Sequence, residues 1–181
     1  MIKYLINSRW LRNAGIVASA TLMSSFSILA VSSWASPALT QTSPTAIARA
    51  TNPIKGAMVK LKKSNQRWIE VDLTRQRLIA WRGKAPFRAV IVSTGKTSTP
   101  TLTGVFQIQS KLPVARMQGD DYDIPDVPFA MYYSGGYAIH GAYWHHNFGT
   151  PVSHGCVNVA VDHAERIFDW ASVGTPIVVH D

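Results

Sequence analysis

The residue types in this 181-residue chain best suited to covalent chemistry are a single cysteine and six histidines. Four of the histidines fall between positions 140 and 154, and the cysteine stands at 156. The order is Ile139-His140-Gly141, fourteen intervening residues, then Cys156 inside Ser153-His154-Gly155-Cys156-Val157-Asn158. A cysteine attacks as its thiolate, and an ordinary thiol is mostly protonated at neutral pH. A neighbouring imidazole can take that proton and later return it to a leaving amine. His140 closes an apolar run, a rigid place from which to present such a base. The base also needs its second nitrogen held. No acid lies close to His140 in the sequence, so the carbonyl of Gly141 is the expected orienter. Gly155 lets the chain turn tightly and aim consecutive backbone N–H groups at one point. The N–H groups of Gly155, Cys156 and His154 are candidates for an oxyanion site.

Plainer roles are open to the same residues. Cys156 could be a small buried hydrophobe, and His140 a core histidine with a satisfied N–H. His154 could buttress the turn, and Ser153 could be a nucleophile only if Cys156 were not. His145 and His146 follow Tyr143-Trp144 and read as substrate-channel or surface residues. A zinc hydrolase would draw on His140, His145, His146 or His154 with Cys156, but adjacent histidines on a loop are a poor start for tetrahedral ligation. Asp120, Asp121, Asp123 and Asp126 suggest calcium, yet they lack the glycine and terminal glutamate of an EF-hand loop.

The elements that must position these residues are short and mostly strands. Trp68 to Leu73 and Gln76 to Trp81 alternate with period two around a turn, and Arg82-Gly83-Lys84 makes a second turn. Phe87 to Ser93, Gly104 to Ser110, Phe129 to Tyr133, Gly136 to His140 and Ile177 to His180 read as further strands. Residues 117–128 read as a Pro-broken polar loop. One helix is expected, capped by Asp162 with Glu165 completing a capping box, its face made of Ala164, Ile167, Phe168 and Ala171. The sum is a mainly β domain with one short helix after the cysteine segment.

The N-terminus reads differently. Lys3, Arg9 and Arg12 precede an uncharged stretch from Ala14 to Val31, then Ser33-Trp34-Ala35. That order predicts a signal peptide over residues 1–35, or an uncleaved N-terminal anchor, and so an exported protein. Residues 36–54 read as a Ser/Thr/Pro/Ala-rich linker, and 55–181 as the folded domain. Charge is unevenly spread. Residues 55–116 hold thirteen Lys or Arg against two acids, while 117–181 hold one Arg against eight. A basic half suits an anionic polymer or a solvated surface. Nucleic acid is not expected outside the cytoplasm, and a membrane only through an uncleaved leader.

Tyr137-Ala138-Ile139-His140-Gly141 followed by Ser153-His154-Gly155-Cys156-Val157-Asn158 resembles the L,D-transpeptidase family, the YkuD-type catalytic domain. The likeness runs over residues 67–181. It takes in Val71-Asp72-Leu73, Gln76-Arg77-Leu78, Ser93-Thr94-Gly95-Lys96, Thr99-Pro100-Thr101-Leu102-Thr103-Gly104-Val105-Phe106 and Gly174-Thr175-Pro176-Ile177-Val178-Val179. It implies a β-sandwich-like fold, Cys156 as nucleophile, His140 as base and the Gly141 carbonyl as its orienter. Ser153, His154 and Gly155 would shape the oxyanion site, and Met131, Tyr143, Trp144 and Asn158 would line the substrate groove. Many members carry Arg where this chain has Asn158, though Asn also occurs. The implied reaction needs no metal or cofactor. The thiol attacks the peptide bond between the third stem residue of peptidoglycan and D-alanine, and an amine resolves the thioester. The resemblance also implies acylation by carbapenems and a place in the periplasm or cell wall. Water as acceptor would make a carboxypeptidase, a protein acceptor an attachment enzyme, and lost turnover a wall-binding module.

Overall fold

A computed structural model describes residues 52–181. The expected leader and residues 36–51 of the expected linker lie outside them. The described part opens with a helix, α1 (Pro53–Lys62), where only one helix was expected, and it begins inside the expected linker. The local reasons are plain. The Asn52 side chain accepts from the Ile54 N–H at 3.0 Å and proline takes the first helical position. Ile54, Met58 and Leu61, spaced for one helix face, pack against Trp68, Trp81 and Val178. Among the described residues no helix is long and apolar enough to cross a membrane.

The rest is a mainly β domain. In chain order come β1 (Arg67–Asp72), β2 (Arg77–Arg82), β3 (Ala85–Ser93), β4 (Gly104–Gln107), β5 (Ser110–Gln118), β6 (Asp123–Ser134), β7 (Tyr137–Gly141), β8 (Val157–Val159), α2 (Val161–Trp170) and β9 (Pro176–His180). They form a nine-stranded sheet in the order β4-β9-β1-β2-β3-β8-β7-β6-β5. Its two end strands, β4 and β5, are joined through Ile108 and Gln109 alone, so the sheet curls until its ends approach. The Phe106 and Tyr133 rings meet there with centroids 5.3 Å apart, and the Gln109 N–H donates to the Tyr132 carbonyl at 2.7 Å. β3 belongs to both halves. It pairs with β2 through Ile91, and its last residues, Val92 and Ser93, pair with Val159 and Asn158 of β8.

Three local expectations change. The run from Gly104 to Ser110 breaks at the buried Ile108, and β5 follows it, containing Pro113. An edge strand tolerates proline because one side of its backbone has no ladder to complete. Residues 117–128 are mostly strand, since β6 begins at Asp123 and turns through irregular register, with positive φ at Asp126 (51°) and Phe129 (58°). Those kinks erase the period-two pattern that would have revealed it. The N-cap of α2 is Ala160 with no side-chain cap bond, and Asp162 lies within the first turn, where a negative charge suits the helix dipole. The other end of α2 is closed by Lys111 of β5, whose Nζ donates to the Phe168 and Ala171 carbonyls at 2.6 Å each.

The main core gathers Ile69, Val71, Leu78 and Val92 from one half and Met131, Ile139, Val157 and Val159 from the other, with Ala164, Ile167 and Trp170 of α2 laid against them. A second, smaller cluster lies apart from it, built on Ala115, Met117, Val127, Ala130 and Ala138. Strand alternation therefore decides which side chains of β7 and β8 are core and which are available for chemistry.

Candidate active site

β7 and β8 are neighbouring parallel strands with Ile139 opposite Val157 and His140 opposite Asn158. Ile139, Val157 and Val159 join the main core. Alternation then turns His140, Asn158 and Cys156 to the other face, where Cys156 packs against the second cluster. His140, Cys156 and Asn158 line one pocket of about 270 Å³, together with Trp144, His145 and residues of the β5–β6 hairpin.

The segment carrying Cys156 is held by the loop after β3. Backbone N–H groups of Val152 and Ser153 donate to the Thr94 carbonyl at 2.9 and 3.0 Å. The Ser153 carbonyl accepts from the Lys96 N–H and the Thr99 hydroxyl, and the Gly155 carbonyl from the Thr101 hydroxyl at 2.8 Å. Thr94 is itself pinned by the buried Gln76, whose amide nitrogen donates to Thr94 Oγ1 at 2.7 Å while its oxygen accepts the Thr94 N–H at 2.9 Å. Gly155 has φ +115°, and a Cβ there would stand 2.7 Å from the Tyr137 ring, so glycine alone fits the turn.

His140 is buried, and its Nδ1 lies 3.0 Å from the Gly141 carbonyl oxygen. A carbonyl only accepts, so Nδ1 carries the hydrogen and Nε2 is the basic nitrogen. Burial lowers the imidazole pKa to about 4, the Gly141 carbonyl resists that shift, and His145 adds to it. At neutral pH His140 is an uncharged base. Burial of the sulfur pushes the Cys156 thiol up, against the Ala138 N–H that favours its anion. The thiol donates to the Gly136 carbonyl at 3.6 Å. The resting pair is therefore neutral thiol and neutral imidazole, both residues lining the one pocket.

The family model for the L,D-transpeptidase catalytic domain, YkuD, matches residues 66–179. The chain belongs to this family. L,D-transpeptidase 1 of Mycobacterium tuberculosis is 34% identical over 105 residues, a stretch covering 51% of this chain and 41% of that protein. The chain thus spans about two fifths of that curated relative. Among solved structures, an L,D-transpeptidase from Mycobacterium smegmatis superposes with a TM-score of 0.60 at 28% identity, over 64% of this chain and 59% of that one. The catalytic domain of the Enterococcus faecium L,D-transpeptidase gives 0.59 at 30% identity, over 64% of this chain and 98% of that one.

Within this L,D-transpeptidase domain the other expected residues take varied places. Met131 is a correction. It has no exposed surface and sits in the main core opposite Ile139, because the alternation of β6 sends it away from the pocket. Ala130 and Tyr132, on the pocket side, pack in the cluster that Cys156 joins. The Gly155 N–H is also unavailable as an oxyanion donor, since it donates to Ser153 Oγ at 3.1 Å. Ser153 Oγ in turn donates to the Cys156 carbonyl at 2.6 Å, so this hydroxyl staples the turn. Tyr143 is exposed at the rim, its hydroxyl donating to the Pro125 carbonyl at 2.7 Å, while Trp144 lies over His140 with ring centroids 5.7 Å apart. Asn158 is buried in the pocket wall with its side-chain amide 2.8 Å from His145 Nε2. The Asn147 N–H donates to His145 Nδ1 at 3.1 Å. That makes Nε2 the protonated nitrogen, so the Asn158 amide must turn its oxygen to it.

His154 reaches away from the turn. Its Nε2 lies 3.1 Å from Asp121 Oδ2 and its ring stacks on Tyr122 at 4.6 Å. With Met117 and Ile124, Tyr122 brings the β5–β6 hairpin into the pocket wall. Sequence reasoning missed these hairpin residues because it read their segment as a loop. The apolar residues Met117, Tyr122 and Ile124 among the acids were the available signal. Among the described residues no three His, Cys, Asp or Glu side chains converge to hold a metal ion.

Proposed function

We propose that the chain is a peptidoglycan L,D-transpeptidase in which Cys156 is the nucleophile and His140 the general base. The observation that carries this reading is the shared pocket of Cys156 and His140, with Nδ1 occupied by the Gly141 carbonyl and Nε2 left basic. A stem peptide enters with the carbonyl of its third residue at the sulfur. The thiol proton passes to His140 Nε2 as the S–C bond forms. The tetrahedral oxyanion is met by the Cys156 N–H, each such donor being worth about 3 kcal/mol in the transition state. The C–N bond to D-alanine then breaks, and the imidazolium returns its proton to the leaving amine. An amine from a second stem peptide attacks the thioester and restores the thiol. A neutral resting pair suits this sequence, because the thiolate forms only as substrate covers the site. A zinc hydrolase would need ligands that the placement of His145, His146 and His154 does not bring together. The export and wall location expected from the N-terminus are part of the same proposal.

Incubation with a tetrapeptide muropeptide and mass spectrometry of the products tests it. A dimer short of one D-alanine is expected. A tripeptide alone would point to hydrolysis by the same acyl-enzyme. Cys156→Ser should abolish either product while the melting temperature stays within a few degrees, and full activity in that variant would overturn the assignment.

A further inference from the structure

Far from the pocket, the basic half of the chain builds a second concavity. Between residues 55 and 116 the only acids are Glu70 and Asp72. Both are occupied within the fold. Asp72 takes Arg75 Nη1 at 2.7 Å, and Glu70 takes Trp81 Nε1 at 2.7 Å and His180 Nε2 at 3.1 Å. Four of the remaining cations collect around a single open cleft of about 570 Å³. Lys62 and Lys63 come from the end of α1, and Arg82 and Lys84 from the β2–β3 turn. All four are exposed, the cleft has no carboxylate in its lining, and none of the four forms an ion pair among the described residues.

The frame beneath these charges is rigid. Gly83 has φ +56°, and a Cβ on it would stand 2.2 Å from the Ser64 carbonyl oxygen, so glycine is what lets the turn approach the end of α1. The turn is then pinned from two sides. Trp68 Nε1 donates to the Gly83 carbonyl at 2.9 Å, and the Gly83 N–H donates to the Gln66 carbonyl at 2.9 Å. Lys62 Nζ stands 5.3 Å from the centroid of Trp81. The helix dipole accounts for Lys60 and Lys62 in the last turn of α1. Arg82 and Lys84 flank the same helix end, but a helix C-terminus carries only about half a negative charge, too little to balance the four cations gathered there. Like charges held together repel unless an anion lies between them.

We propose that this cleft is an exosite for a phosphodiester-bearing polymer of the cell envelope. The phosphate follows from lysines placed as separate point charges along a trough, and the polymer from the trough being open. Its concave shape disfavours a flat bilayer. The envelope as the source rests on the function proposed above. β3 runs from Ala85 at the cleft to Ser93, the partner of Asn158, and at about 3.3 Å per residue the two sites stand roughly 25 Å apart. The exosite therefore holds the wall while leaving the pocket free.

The test titrates the full chain with soluble poly(glycerol phosphate) of defined length at low and high salt. Arg82→Ser with Lys84→Ser should weaken binding about tenfold at low salt. Arg77→Ser with Arg166→Ser, the same change in charge at exposed positions elsewhere, should leave it within about twofold. Equal weakening by both pairs, or no binding by wild type, would overturn the exosite. Binding to anionic vesicles but not to free polymer would overturn it in favour of a membrane face. Muropeptide turnover, read in parallel, should be unchanged in both pairs. A wild type that binds polymer but turns over no muropeptide would refute the function proposed above and leave the cleft's phosphate binding standing.

Discussion

Two imidazoles in this fold, one partly and one fully buried, have opposite fates. His180, at the end of β9, stands 3.1 Å from Glu70 Oε1 and 2.7 Å from the Asp181 carbonyl oxygen. Burial works against its charge, yet the Asp181 carbonyl, Glu70 and Asp72 outweigh that cost and its pKa is raised. His140 has one carbonyl and no carboxylate, and burial takes it down to about 4. The half of the sheet around β1 and β9 thus pairs its buried charges and silences them, while the pocket half keeps a base unpaired. Reactivity lies where compensation is withheld.

The strongest way to break this contrast is to exchange the two histidines' fates by mutation. His140→Asn should slow acylation of the thiol by a carbapenem about 10²–10⁴-fold, read by intact mass, while His180→Asn leaves the rate within about twofold. Equal effects would erase the distinction. The placement of Met131 on the core side of β6 is tested by Met131→Ala. It should cost about 2–5 kcal/mol in urea unfolding with KM unchanged, as a lost core side chain does. A raised KM at unchanged stability would return Met131 to the groove.

Stability against pH sharpens the comparison further. The folded pKa of His140 lies below its unfolded value of about 6.5, so the unfolded chain binds the extra proton first. Its contribution is complete above pH 6.5 and declines by about 3 kcal/mol as pH falls toward 4. His140→Asn should remove that slope from the urea midpoint. His180 has the opposite sign. Its raised pKa stabilises fully below the unfolded value and fades as pH rises through the folded one. Glu70→Gln should cost about 1 kcal/mol at pH 6 and less at pH 8, the partial exposure of the pair keeping the effect small.

Much of the site was legible because its signals are local. The alternation of Trp68 to Leu73 and Gln76 to Trp81 described a hairpin that the structure forms as β1 and β2. The apolar run ending at His140 and the turn at Gly155 led to residues that share one pocket. What stayed hidden depends on tertiary partners. β5 contains Pro113 and reads as a strand only once its place at the sheet edge is known. The engagement of the Gly155 N–H by Ser153 depends on a rotamer that spacing does not encode. Which face Met131 takes depends on the kinks in β6 at Asp126 and Phe129, non-glycine residues at positive φ. The helix α1 was overlooked because Gly56 and the adjoining Ser/Thr/Pro-rich stretch mask its three-residue apolar stripe.

The most direct measurement is the rate at which a carbapenem acylates the wild-type thiol, followed by intact mass from pH 5 to pH 9 with the adduct mapped to its residue. Proton transfer from a neutral Cys156 to a neutral His140 predicts one adduct, on Cys156, forming at a rate nearly level between pH 6 and pH 8 and falling only as His140 takes a proton below about pH 5. A rate climbing about tenfold with each pH unit across that plateau, as for a thiol that must ionise into solvent unaided, would contradict it.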